Sequence, residues 1–456
     1  MTNLKEMIDK EFTFEPYDFE KSEVSGIPLH TKHLPFAPCV HIRILFHYGA
    51  MHDEIGKEGV AHFLEHMIFK GNDIYPDEKS IKNFSKDILL NTHNAHTGLF
   101  ELVIEGKCLP HNFEKAIQGI FAMTHSPKLT VEGWEQEKKI IMQEAWSRFL
   151  NEKYIAYVKK FRDNRLANLP DRRRIISALG WPDTITKITH EDITSAHKKY
   201  FVKENMEILL AGNIEALGII ENIKNIISET ADRIPNGEKT TPPFIPTEVD
   251  LPEIQRMDHT FSDIGVTEKN QANVSISYSF ARINKKPGIP NTSEENLLIA
   301  TSFIVQRLVS DVIYEKLRTD NNWCYSANAN FYIETDFLKF NMGTSINPDH
   351  IDEAIEIAQE ILEDIKKGQY EEKFEQRKRL VIEATLASEH SSSGVIDAAL
   401  DDIMIVSEIV KERTVLDEFE QVQFDDVKKM IGTYLIPERA VIEILRPIMV
   451  DKSPQA

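Results

Sequence analysis

At 456 residues the chain is longer than one core usually supports, so two or more domains are expected. Hydrophobic residues at 41% and charged residues at 28% exclude a disordered chain, and a net charge of −20 excludes nucleic acid as a partner, because phosphate binding needs basic patches. No apolar run approaches the roughly 20 residues of a spanning helix, and Met1-Thr2-Asn3-Leu4-Lys5-Glu6 lacks the basic-then-apolar start of a targeting peptide, so no membrane is expected and the location is cytoplasmic.

Residues 12–48 alternate short β-prone runs with turns: Ile27-Pro28-Leu29-His30 follows Ser25-Gly26, and Val40 to Tyr48 is a strand candidate. After the turn-like stretch Gly56 to Gly59 comes Ala61-His62-Phe63-Leu64-Glu65-His66-Met67-Ile68-Phe69-Lys70-Gly71, closed by Gly71 and Pro76. Asn94 to Glu105 reads as a strand, and helices are expected over about 112 to 125 and 131 to 150. Cys39, Cys108 and Cys324 stand far apart without a C-x-x-C spacing, so neither a disulfide framework nor a thiolate metal site is indicated.

On a helix, His62 and His66 lie one turn apart, with the Glu65 carboxylate beside them and Val60, Phe63, Leu64, Met67 and Ile68 on the opposite side. Imidazoles are good zinc ligands, catalytic zinc takes three protein ligands, and a nearby carboxylate can take a water proton during attack on a carbonyl. The H-x-x-E-H order is the inverted form of a metallopeptidase signature. The plain alternative is a surface helix with two chance histidines. Within 131–150, a helical wheel puts Glu135 inside an apolar arc of Val131, Trp134, Ile141, Met142, Ala145, Trp146 and Phe149, with Glu137 and Glu144 on the far side. An acid so placed needs a partner. A metal ion and a salt bridge to Lys138 both answer that need.

Pro235-Asn236-Gly237, Thr240-Thr241-Pro242-Pro243 and Pro246 mark a linker at 233–252, between an N-terminal domain at 1–232 and a C-terminal domain at 253–456. The two sides repeat each other. Asp192, Tyr200, Glu204 and Ile208 are echoed by Asp426, Tyr434, Glu438 and Ile442 at a constant offset of 234 residues. Thr292-x-x-Glu295 reads as a capping box opening a helix from Leu297 to Leu317. Asn296 stands where the offset would place a second His62, so only the first unit can hold a metal.

His62-Phe-Leu-Glu65-His66, preceded by Gly59-Val-Ala and followed by Met-Ile-Phe-Lys-Gly71, resembles the pitrilysin and insulysin family of inverted zinc metallopeptidases, most of all its short-chain branch with mitochondrial processing peptidase and bacterial relatives. Glu135 to Glu144 is similar to the family's acid-rich helix, which implies Glu135 as third zinc ligand, with Glu137 as the fallback. Arg318 and Tyr325 resemble a substrate-contacting pair, and Asn94-Ala95-His96-Thr97 resembles the segment of the edge strand that receives the peptide. Two departures touch substrate preference: Leu89-Leu90-Asn91-Thr92-His93 replaces the usual glycines, and Asn321-Asn322-Trp323 replaces arginine-glycine-leucine.

The resemblance implies an α+β fold of two tandem homologous domains, each an antiparallel sheet with helices mainly on one face. It implies a zinc endopeptidase for unfolded peptides, one zinc per chain, with Glu65 as the base and peptide bound along Asn94 and Ala95. It also implies a clamshell of four units. This chain supplies two, so the expected assembly is a homodimer, or a pairing with a related subunit. The competing reading is a scaffold or partner subunit without catalysis; such relatives typically lose part of the motifs retained here.

Overall fold

A computed structural model describes residues 3–165, 176–240, 251–252, 254–266, 270–282, 289–334 and 337–447. Most of the expected linker, including Pro242, Pro243 and Pro246, lies outside the described residues. The first sheet holds β1 Glu20–Val24, β2 Ile27–His33, β3 Val40–Phe46, β4 Asn94–Thr97, β5 Leu102–Cys108 and β6 Met206–Gly212, in the order β1-β2-β6-β3-β5-β4. The second holds β7 Arg256–Thr260, β8 Ala272–Ala281, β9 Cys324–Ile333, β10 Phe337–Ile346 and β11 Val441–Arg446, in the order β7-β11-β8-β10-β9.

From β2 onward the first order maps strand for strand onto the second, as the repeat requires. Helix His190–Tyr200 and helix Phe424–Tyr434 stand at the 234-residue offset, each leading into its unit's last strand. The α+β class and the tandem homology hold. Each sheet is mixed, however: β2 runs parallel to β6, and β7 to β11. Parallel neighbours need a long crossover, and here nearly a whole unit of chain separates the two strands.

The expected strand from Asn94 to Glu105 is a hairpin in which Thr97 faces Leu102. Residues 98–101 form its turn, closed by a 2.8 Å hydrogen bond from the Gly98 N–H to the Glu101 carbonyl. That turn leaves β4 as a short free edge.

Every residue of β3 is buried, because both faces of the first sheet are covered. On one face Ile42, Ile44 and Phe46 join the core under helices Val60–Met67, Phe113–His125 and Ile220–Ala231. The other face belongs to the far end of the chain. Val395, Ile396, Ala399 and Leu400 of helix Ser392–Ile405 pack on Leu45, Val103 and Leu209, and Asp397 meets the buried Arg43 guanidinium at 2.5 Å. In exchange, Ile8 of helix Leu4–Glu11 packs in the second core. Two segments therefore sit, in space, on the unit opposite to the one that a division at 232 and 253 gives them.

Helix Ser293–Tyr314 starts at the Thr292 cap, whose hydroxyl accepts from the Glu295 N–H. The Glu295 side chain does not close a capping box; it pairs in the interior with Arg282 at 2.7 Å. With its final turn this helix, Ser293–Asp320, is long enough, and over its most apolar 18 residues, at mean hydropathy 1.5, apolar enough, to cross a membrane, which corrects the reading that no such run exists. Its Leu298, Ile304, Val305, Leu308, Val309 and Val312 fill the second core.

Two carboxyls near the crossing helix are pushed up by burial to about 7: Glu101, also near the Asp401 charge, and Asp402, which still accepts the Val410 N–H at 2.8 Å. Each holds a proton in the folded chain over a pH range in which the unfolded chain has lost it. Folding stability should therefore fall as pH rises from about 4 to about 7, by roughly 3 to 4 kcal/mol per group. Thermal unfolding across that window should show the slope, and Glu101→Gln with Asp402→Asn should lessen it, leaving the part that the similarly raised Glu412 and Glu443 contribute.

Candidate metal site

The helix Val60–Met67 is fixed at its start by a buried acid. The Asp53 carboxylate accepts the N–H groups of Gly59 (2.9 Å) and Ala61 (3.1 Å) and the Tyr48 hydroxyl (3.0 Å). This satisfies donors that a helix N-terminus leaves open. Gly59 has φ +108, and a Cβ there would lie 2.9 Å from the Leu179 carbonyl oxygen; at Gly180, φ +81, a Cβ would lie 2.4 Å from that of Glu58. Only glycines allow so close an approach of the two chain segments.

His62 and His66 lie with ring centroids 4.7 Å apart. Their Nε2 atoms face one carboxylate, that of Glu144, at 3.8 Å and 3.6 Å. The three ligand atoms fall within 4.8 Å of one another, and among the described residues no other such group of histidine, cysteine and acidic side chains is found. Two imidazoles and one carboxylate are a donor set that suits zinc.

Glu135, the third ligand implied by the resemblance, is exposed and outside this group. Nor does it bridge to Lys138, whose ammonium donates to the Thr186 and Ile188 carbonyls at 2.8 Å each. The buried stripe of helix Val131–Phe149 is Gly133, Glu137, Ile141, Ala145 and Phe149. Val131, Ile140 and Trp146 are solvent-exposed apolar residues, and Val131 and Trp146 drew the apparent arc of the wheel toward Glu135. The true stripe runs through Glu137 and brings Glu144, two turns further on, to the histidines.

The fallback Glu137 is buried and has a different task. Its carboxylate accepts from His66 Nδ1 at 3.0 Å and pairs with Lys70. That bond fixes the His66 tautomer and turns Nε2 to Glu144. Burial opposes charging of His66, yet the bond to Glu137 and the charges of Glu65, Glu137 and Glu144 raise its pKa; burial, together with His66, lowers that of His62 to about 3. Glu65 stays out of the group and accepts the Thr97 hydroxyl at 2.7 Å, while burial raises its pKa. Thr97 lies in the segment already singled out, but no role for it, for Asp53 or for Glu144 was legible.

A cavity of about 780 Å³ opens beside His62 and Glu144, with Glu334 and Phe337 of the second unit on its wall. A second, of about 390 Å³, borders Glu65, His66, Asn94 and Ala95. Arg318 and Tyr325 come together, guanidinium 5.9 Å from the ring centroid, where the π-helical turn Glu315–Asp320 meets edge strand β9. They line neither cavity.

A model described as Insulinase (Peptidase family M16) matches residues 29–168, and one described as Peptidase M16 inactive domain matches residues 187–381. An uncharacterized zinc protease of Rickettsia bellii is 26% identical over 216 residues, covering 47% of this chain and 50% of that protein. The chain thus spans about half the length of the Rickettsia relatives it matches. Zinc protease PqqE of Helicobacter pylori is 22% identical over 436 residues, 93% of this chain and 90% of that one. The first half of the periplasmic protease PqqL from Escherichia coli superposes with a TM-score of 0.76 at 14% identity, covering 95% of this chain and 92% of that structure.

Competition titration with a chromophoric chelator should show zinc affinity falling about 100-fold or more in Glu144→Ala, and about 10- to 100-fold in Glu137→Gln. Glu135→Ala should bind as the wild type does; a matching loss there would restore Glu135 as a ligand.

Proposed function

We propose, from the premise that the chain belongs to peptidase family M16, that it is a zinc-dependent endopeptidase acting on unfolded peptides. The observation that carries this reading is the convergence of His62, His66 and Glu144 beside a carboxylate, Glu65, that is not one of the three. A pure binding site has no need of that fourth group. His62, His66 and Glu144 would hold one zinc ion per chain, which when bound supplies a Lewis acid for the scissile carbonyl.

Glu65 would take the proton of the attacking water and hand it to the leaving nitrogen. Its raised pKa suits that exchange, since a carboxyl too acidic holds the proton too weakly to deliver it. The Thr97 hydroxyl orients one oxygen and leaves the other for water. Edge strand β4 supports the binding mode: an extended peptide would add to its open side at Asn94 and Ala95, with main-chain bonds giving affinity without much sequence demand.

Arg318 and Tyr325 would serve the site of a second copy, donating to substrate carbonyls or to the developing oxyanion. Tyr325 is 79% exposed, as a residue awaiting another surface would be.

Glu65→Gln should keep zinc and lose about 10²- to 10⁴-fold in cleavage of a mixed pool of unstructured peptides, read by mass spectrometry. An active variant would sink the mechanism. Mixing Glu65→Gln with Arg318→Ala should restore activity that neither has alone, since a mixed dimer rebuilds one intact site; no restoration would confine each site to one chain.

A further inference from the structure

The larger cavity carries a charge that the proposed chemistry does not use. Arg148 lies one turn beyond Glu144 on helix Val131–Phe149 and lines the same wall as His62. A Glu followed four residues later by a cation normally closes an ion pair on a helix surface. Here the Glu144 carboxylate is turned to the imidazoles instead. Arg148 is exposed, makes no ion pair or side-chain hydrogen bond with another described residue, and lines the cavity.

The other charged groups of the wall are engaged. Arg162 donates to the Ile176 carbonyl at 2.7 Å and lies 5.7 Å from the Trp181 ring. Glu144 belongs to the metal group. Glu334 comes from the second unit and gives its part of the cavity the opposite sign.

We infer that Arg148 makes this cavity a subsite for a side-chain carboxylate of the substrate, so that peptides with Asp or Glu at one position near the cut are preferred. The inference rests on the peptidase reading and adds a substrate class to it. A planar guanidinium with five donors suits a carboxylate better than any neutral partner. With net charge −20, the chain as a whole repels acidic peptides, so the preference is local, confined to the one position that reaches Arg148.

The test uses peptides acetylated and amidated at their ends, carrying Asp, Asn or Lys in turn at each of four positions either side of one cut. Zinc-loaded wild type should favour Asp over Asn about fivefold in kcat/KM at a single position. Arg148→Ala should bring that ratio to about one, Arg148→Lys should retain part of it, and Arg148→Glu should favour Lys. Fluorescence anisotropy on the Glu65→Gln protein should give the same ordering in Kd, with the Asp preference shrinking as salt rises. Equal cleavage of the three peptides by the wild type, or a preference that survives Arg148→Glu, overturns this inference alone. A wild type that cuts none of them overturns the peptidase reading, and this one with it.

Discussion

The contact on which the site depends is the one between helix Val60–Met67 and helix Val131–Phe149, made at its polar end by His66, Glu137 and Lys70. Glu137 is buried, and a carboxylate so placed needs charged or hydrogen-bonding partners. It has two, His66 in the last turn of the other helix and Lys70 in the turn that follows it. Their hydrogen bonds hold its pKa below the usual carboxylate range although burial pulls upward. With that pair set, His66 is oriented, and Glu144, two turns along, faces both imidazoles.

The rest of the first unit keeps that pair in register. Asp53 fixes one end of the helix, Gly59 and Gly180 let the chain segments close behind it, and Thr97 on the hairpin reaches Glu65. Each comes from a different part of the chain. The site is therefore as stable as the sheet that carries them, and the sheet is covered on its far side by a helix from residues 392–405. A break in the crossing contact of Arg43 with Asp397 and Glu105 would loosen the strands next to β4, because Glu105 pairs with Asn94 across the hairpin.

That exchange of helices also ties the two units together. Helix Ser392–Ile405 in one direction and helix Leu4–Glu11 in the other pack each unit against its neighbour. Arg318 and Tyr325, beside the start of edge strand β9, lie outside both cavities of their own chain.

The amino-acid sequence by itself determined the elements and the H-x-x-E-H helix, because helix and strand periods are local and the histidine spacing is a property of one turn. It also carried the tandem repeat, through an offset that later proved common to helices and strands. Tertiary structure decided the third member of the metal group. Glu135, Glu137 and Glu144 share one helix, and the arc read from the sequence counted Val131 and Trp146 as core when both are exposed. Which face turns inward is set by what packs against the helix, and here that is Lys70 and His66. The edge position of β4, the cap at Asp53 and the exchanged helices were likewise beyond reach of the sequence, since each depends on contacts between residues far apart along the chain.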